Sequence, residues 1–328
     1  MTRHPSTAPV RPSEPTVLRA REPGDILGAI PYLLGFHPTE SLVAAFVRER
    51  QVVVTARIDL AATADLEALV DQLEVVSQRV DTRSVVLVAY SQDPDVRELA
   101  RDLADLIPLD LLDVLAVTGD RWWSACCDGP CCPPEGRPYD IGSHPLAAEA
   151  VLAGISATAT RQEIAQLTSG PAPGEVDRLI AMADAATARL ARLSIRRRRR
   201  RMRQTIHRLL ASGGPTEPEA VELAVLVRDI EVRDEAWGLM TRSRAADHRD
   251  LWRRVVAVAV WPYEAGPLGL LAIAGWLSGN GALLNCCIDR LEAVAPDYSL
   301  LDICRLISDQ AIAPSFHDML LEEMRAAS

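Results

Sequence analysis

The run Ser84–Tyr90, Ser-Val-Val-Leu-Val-Ala-Tyr, limits what this chain can become more than any other segment. Its interior has no polar residue at alternate positions, which predicts a strand buried on both faces. Such a strand needs pairing partners at its sides and cover above and below, and the flanking sequence supplies both. Leu42–Arg48 and Val52–Ile58 are β-rich runs separated by Glu49-Arg50-Gln51. They predict a hairpin, although the Asn-Gly turn signal is missing. Residues 63–80 place Leu66, Leu69, Val70, Leu73, Val76 and Val80 on one helical face. Asp93–Ile107 reads as a second helix and Leu111–Thr118 as a further strand. The order predicts an α/β unit with an open, mixed sheet, a hairpin followed by β-α-β-α-β with right-handed crossovers. No glycine-rich loop follows any strand, so nucleotide binding of the Rossmann or P-loop kind has no support.

From about Pro145 the pattern becomes all-helical. Short helices are expected at 145–154 and 160–168, and Gly170-Pro171-Ala172-Pro173-Gly174 reads as a linker. Val176–Leu210 reads as one long helical stretch, ended by Ser212-Gly213-Gly214-Pro215. Further helices follow as far as 315–326. Residues 266–294 read as two helices broken at Ser278-Gly279-Asn280-Gly281 and closed by Ala295-Pro296. This hairpin resembles the second half of a tetratricopeptide unit, but Leu284 stands where that repeat has alanine, and no second copy follows at its period. The expected organisation is a disordered arm at 1–22, rich in Pro, Ser, Thr and Arg, and an α/β domain with a cysteine-rich turn at 23–144. A helical connector and linker at 145–173 leads to an all-α domain of helical hairpins at 174–328.

At 328 residues and 48% hydrophobic content, the chain can bury a sizeable core and suits two domains. Its formal net charge of −10 works against nonspecific binding to nucleic acid or anionic membrane. No lysine is present, so every ion pair must use the guanidinium fork. The N-terminus lacks the apolar stretch of a signal peptide. The longest apolar segment, Gly266–Leu277, is shorter than the roughly 20 residues needed to span a bilayer. A cytoplasmic protein outside the membrane is expected. Seven cysteines in such a chain predict reduced thiols, and the odd count excludes a complete disulfide framework within one chain.

Three segments carry a family resemblance: PGDILGAIPYLLGFHPTESLV at 23–43, RWWSACCDGPCCPPEG at 121–136, and LLAIAGWLSGNGALLNCCIDRLEAVAPDYSLLDI at 270–303. Together they resemble domain-of-unknown-function family 4192 of high-GC Gram-positive bacteria, across residues 23 to about 315. The resemblance implies a bacterial cytoplasmic setting and brings no established activity. The family has an aromatic residue soon after the Trp-Ser pair, whereas Ala125 and an extra thiol at Cys126 stand here.

Three constellations could carry chemistry. In Cys126-Cys127-Asp128-Gly129-Pro130-Cys131-Cys132, the centre is a turn signal. If 121–127 ran as a strand and 131–132 returned beside it, Cys127 would oppose Cys131 and Cys126 would oppose Cys132, on opposite faces. One zinc ion could then use only one pair, with two further ligands from His37, His144 or Asp128. The alternatives are a braced structural turn, a zinc site and a redox site. Of Trp122 and Trp123 beside it, one is expected in the core and the other over the turn or along a groove. Asp25, His37, Glu40 and Ser41 form a polar segment. Asp25 reads as a helix N-cap and Ser41 as a strand-start residue, and the elbow motif that would support a Ser-His-Asp triad is absent. Arg196, Arg197, Arg198, Arg199, Arg200, Arg201 and Arg203 interrupt the apolar stripe that runs from Leu190 and Leu193 to Met202 and Ile206. They read as a solvated face pairing with the protein's own carboxylates, or as a grip for an acidic partner or nucleic acid. Cys286, Cys287 and Cys304 lie in apolar helices and read as core.

No catalytic motif is identified, and the reading leans against an enzyme. It favours an interaction or regulatory protein, with a protein partner ahead of nucleic acid. A cysteine-dependent metal or redox protein is the alternative, and binding through the arginine helix is third. No pattern in the sequence sets an oligomeric state.

Overall fold

The computed structural model describes residues 22–127, 129, 132–140, 144–152, 157 and 160–319. The arm at 1–21, with Asp128, Pro130, Cys131 and the end of the last expected helix, lies outside the described residues.

The chain enters through α1 (Pro23–Leu34). Glu22 caps it, and the N3 residue Asp25 closes a capping box with Glu22. Asp25 is therefore not the N-cap that the sequence suggests. Pro23 can occupy the first helical position because the N–H it lacks has no intrahelical partner there. Gly35 ends the helix in the left-handed conformation, with φ at 83°.

Next come β1 (Ser41–Arg48) and β2 (Gln51–Asp59), joined by a two-residue turn in which Glu49 and Arg50 both have positive φ. That geometry matches strand twist and usually recruits Asn-Gly. Here two charged residues adopt it, which explains the missing signal. α2 (Leu66–Arg79), β3 (Ser84–Tyr90), α3 (Val96–Leu106) and β4 (Asp110–Thr118) follow. β5 (Arg121–Ser124) and β6 (Arg137–Pro138) complete an open six-stranded sheet of order β2-β1-β3-β4-β5-β6. Only β3 and β4 are parallel.

Alternation along the strands divides the sheet into two buried faces. Leu42, Ala44, Phe46, Leu87 and Ala89 pack with Leu69 and Leu73 of α2 and with Ala100 and Leu103 of α3. On the other face, Val43, Ala45, Val86, Val88, Leu115 and Trp122 belong to one buried cluster with Leu27, Ile30 and Leu34 of α1. The same cluster continues into the helical half.

That half comprises α4 (Pro145–Leu152), α5 (Arg161–Gln166), α6 (Val176–Leu190), α7 (Ile195–Ser212), α8 (Glu217–Leu226), α9 (Ile230–Gly238), α10 (Ala245–Val256), α11 (Ala265–Leu277), α12 (Gly281–Val294) and α13 (Ser299–Asp309). α11 is buried at every residue from Gly266 to Leu277, as its uniform hydrophobicity requires. Among the described residues, no helix is long and apolar enough to cross a membrane.

The long helix expected over 176–210 is two helices. The chain breaks at Ser194, whose backbone is extended. No proline or glycine marks the break; Arg198 Nε instead donates to the Leu190 carbonyl at 3.0 Å and so caps α6. Ser194, of a residue type favoured at helix N-caps, is the trace of the break in the sequence.

Two seams join the halves. Gly28 packs against His144, so a β-carbon at position 28 would fall 2.5 Å from His144 Nδ1. His144 Nδ1 accepts from Leu146 N–H at 3.3 Å, and its Nε2 lies 3.5 Å from Asp25 Oδ1. At the second seam, Gly35 abuts Asn280, whose side chain caps α12 by accepting from Leu283 N–H at 2.9 Å.

His248 and Trp252 lie one turn apart on α10, both buried, and His248 Nδ1 and Trp252 Nε1 make no hydrogen bond among the described residues. Burial, followed by the Arg244 charge, pushes His248 down to about 4, while Asp247 opposes the shift and His207 adds to it. Unfolded, the ring titrates near its usual value of about 6.5. Between those values the unfolded chain takes up a proton that the folded protein refuses, so stability should fall as pH drops from 6.5 to 4. At about 1.36 kcal/mol per pH unit the loss is about 3 kcal/mol. Urea unfolding across this range, compared with His248→Gln, should show the variant lacking that share of the loss. Parallel curves for the two proteins would contradict it.

Candidate functional site

The polar segment after α1 is spread among structural tasks. Ser41 is fully buried; its hydroxyl donates to the Thr39 carbonyl at 2.5 Å and accepts from Arg57 Nε at 2.8 Å. Asp25 faces His144 rather than His37. His37 is half-buried, and burial lowers its pKa. Ser41, His37 and Asp25 are therefore not strung together as a proton relay. Glu40, held at φ 44°, clamps the loop after β3: its carboxylate accepts from Ser91 Oγ and from Gln92 N–H, each at 2.8 Å. An internal anion thus occupies donors at the C-terminal end of a parallel strand, where α/β sheets commonly bind ligand anions.

β5 ends at Ser124, where Ser124 Oγ donates to Asp113 at 2.6 Å and Ala125 N–H donates to the Val114 carbonyl at 2.7 Å. Its partner is not 131–132: Trp122 opposes Arg137 and Arg121 opposes Pro138. The expected rung Cys126/Cys132 is therefore not part of this ladder, and the rung Cys127/Cys131 falls on a residue outside the described ones. Cys126 and Cys127 lie beyond the strand, and Pro133-Pro134 on the return cannot donate to one. Cys131 lies outside the described residues.

Trp122 is buried in the core, with the Arg137 guanidinium 5.6 Å from its ring centroid. Trp123 points to the other side. Its Nε1 donates to the Pro134 carbonyl at 3.1 Å, and the Arg97 guanidinium lies 4.6 Å from its ring centroid. Gly136, at φ 77°, lets the loop cross the indole; a β-carbon there would lie 2.5 Å from the ring.

Trp123 thereby helps to wall a groove of about 660 Å³ with Arg97, Arg101, Cys127, Cys132 and Pro134. Arg97 and Arg101 come from α3, and nothing in the local sequence of the cysteine block announces them. Cys126 is not part of this wall. Burial, with Asp113 and Cys127 beside it, raises its thiol pKa, against a backbone contact with Val114 that lowers it. Among the described residues, no three His, Cys, Asp or Glu side chains are grouped to hold a metal ion. Cys286, Cys287 and Cys304 are buried, and burial pushes Cys304 up to about 12.

The arginine run occupies the start of α7. Arg199 and Arg203 both reach Glu235, Arg203 at 2.8 Å. Arg201 makes a two-pronged contact with Glu222 at 2.5 and 2.9 Å. Arg198 lies 3.9 Å from Asp229. Arg196, Arg197 and Arg200 are exposed and form no ion pair among the described residues.

The family's sequence profile covers residues 23–315. The chain belongs to the family described as Domain of unknown function (DUF4192). No curated protein and no solved structure matches it. In this DUF4192 chain, the segments that carry the resemblance form α1 with β1, β5 with the cysteine loop, and α11 to α13. The first and third touch where Gly35 meets Asn280.

One surface feature of the helical half went unrecognised in the sequence. Trp261, in the connection between α10 and α11, is 77% exposed. It stands at a groove of about 630 Å³ lined by Ala165, Val176, Val260, Cys286 and Ala293. Two ion pairs flank the groove, Arg290 with Glu264 at 3.2 Å and Arg161 with Asp289 at 2.8 Å. A tryptophan in the short Trp-Pro-Tyr connection, outside any apolar stripe, was the available signal.

The Glu40 clamp has a direct test. Losing a carboxylate that accepts two hydrogen bonds should cost about 1–2 kcal/mol. Glu40→Ala is expected to lower the unfolding free energy by that amount in urea titrations. An unchanged midpoint and slope would show that the clamp does not hold the loop after β3.

Proposed function

We propose that this protein is an interaction protein whose helical half docks a segment of a partner protein in the groove at Trp261. The observation that carries the reading is the 77% exposure of that indole beside an apolar groove. A solvent-facing tryptophan contributes little to the protein's own core, whereas tryptophan is among the residues that contribute most when an interface buries them. The arrangement matches the anatomy of protein interfaces, with an aromatic anchor, apolar walls and a charged rim. The groove's two arginines and two carboxylates favour a peptide with an apolar side chain for the groove and polar flanks, over a polyanion. The carboxylates that hold Arg198, Arg199, Arg201 and Arg203 weaken the competing case for nucleic-acid binding through α7.

Trp261→Ala should leave stability within about 0.5 kcal/mol of the parent, because the side chain is exposed. Capture from a host-cell extract with the parent and with Trp261→Ala as paired baits should then yield a stoichiometric protein on the parent that is missing from the variant. Equal recovery on both baits, or none on either, would overturn the reading.

A further inference from the structure

We propose that the groove beneath the cysteine loop is a thiol–disulfide exchange site selective for small disulfides that carry carboxylates. The site is separate from the Trp261 groove, and the inference does not depend on that one.

The argument starts from charge. In a chain with net charge −10, most arginines of α7 find a carboxylate. Arg97 and Arg101 form no ion pair and no side-chain hydrogen bond among the described residues, and Arg97 Nε is buried without a partner. Four residues apart on α3, the two lie on one face of the helix. Both line the same groove, where Glu135 is the sole acid among the described lining residues. Two guanidiniums lining one cleft form a receptor for carboxylates. The stacking of Arg97 on Trp123, with the indole anchored to Pro134, fixes the first of them in place.

The thiols supply the second half of the argument. Cys127 and Cys132 line this groove, each half-buried. They share it with both guanidiniums, and the thiolate is the form of a cysteine that attacks disulfides. A volume of about 660 Å³ falls within the range of small-molecule sites. In the exchange, one of these thiols first loses its proton to water. The thiolate sulfur attacks one sulfur of the incoming disulfide and forms a protein–ligand disulfide. The original sulfur–sulfur bond breaks, and its electron pair leaves with the other half as a thiolate, which takes a proton from water. The reaction exchanges one disulfide for another and needs no further oxidant. The guanidiniums hold the carboxylates of the bound half.

The test uses the reduced full-length protein with two probes, 3,3′-dithiodipropionate (dianionic) and cystamine (dicationic). Each rate is divided by that of 2-mercaptoethanol with the same disulfide, to remove intrinsic reactivity. The anionic probe should be favoured by about 10-fold at low salt, and the preference should shrink at about 0.5 M salt. The adduct should map to Cys127 or Cys132. Arg101→Gln, at an exposed position that should leave the fold intact, should cut the preference at least about 3-fold. Equal normalised rates, a preference unaffected by Arg101→Gln, or an adduct confined to other cysteines would each overturn the proposal.

Discussion

The structure depends on how the second face of the sheet is covered. α2 and α3 cover one face through the crossovers that follow β2 and β3. Val43, Val86, Val88 and Leu115 on the opposite face need equivalent cover, and no crossover helix supplies it. α1, which precedes the sheet, and the helical half behind it form a single buried cluster with that face. Ile30 is fully buried in this cluster, as are Leu271 and Cys287 of the helical core. Each buried aliphatic side chain contributes about 1.5–3 kcal/mol of transfer free energy, so a few α1 residues account for a large share of the marginal stability of such a chain. Gly28 and Gly35 sit at the contacts α1 makes with His144 and Asn280, where side chains would obstruct close approach or strain the backbone.

Electrostatics follow the same economy. With arginine as the only strong cation, carboxylates on α8 and α9 meet guanidiniums from α6 and α7 in shared pairs: Glu222 serves Arg189 and Arg201, and Glu235 serves Arg199 and Arg203. These partly exposed pairs contribute little stability individually. Their larger effect is to leave the arginine run with far less free positive charge than its sequence suggests. Among the described residues, guanidiniums without a carboxylate partner include Arg196, Arg197 and Arg200 at the start of α7 and Arg97 and Arg101 in the groove beside Trp123.

Much of this was legible in the sequence wherever the signal was local. The Ser84–Tyr90 run and its flanks specify a doubly covered mixed sheet because strand and helix periods are properties of adjacent residues. The uniform apolarity of Gly266–Leu277 marked a buried helix for the same reason. The break at Ser194 was hidden because a side chain from the next helix, Arg198, caps α6 where sequence rules look for glycine. The Asp-Gly-Pro centre of the cysteine block is a turn signal that leaves a ladder, a braced turn and a ligand site all open, and only the fold shows that Ala125 bonds to β4 while β5 pairs with Arg137–Pro138. Arg97 and Arg101 could not have been assigned to that groove from sequence, since only the β3–α3–β4 crossover brings them there. Trp123 and Trp122 divided as strand alternation requires, one to the groove and one to the core.

One core spans the sheet and the helical half through α1. Native-state hydrogen exchange of Ile30→Ala tests it most directly. Truncating a fully buried isoleucine should cost about 2–5 kcal/mol. If the core is shared, the slowest amides of β3 and those of α11 should lose protection by the same amount, since both exchange through a common opening. Lost protection in β3 with α11 unchanged would show two separately stable halves and contradict the account.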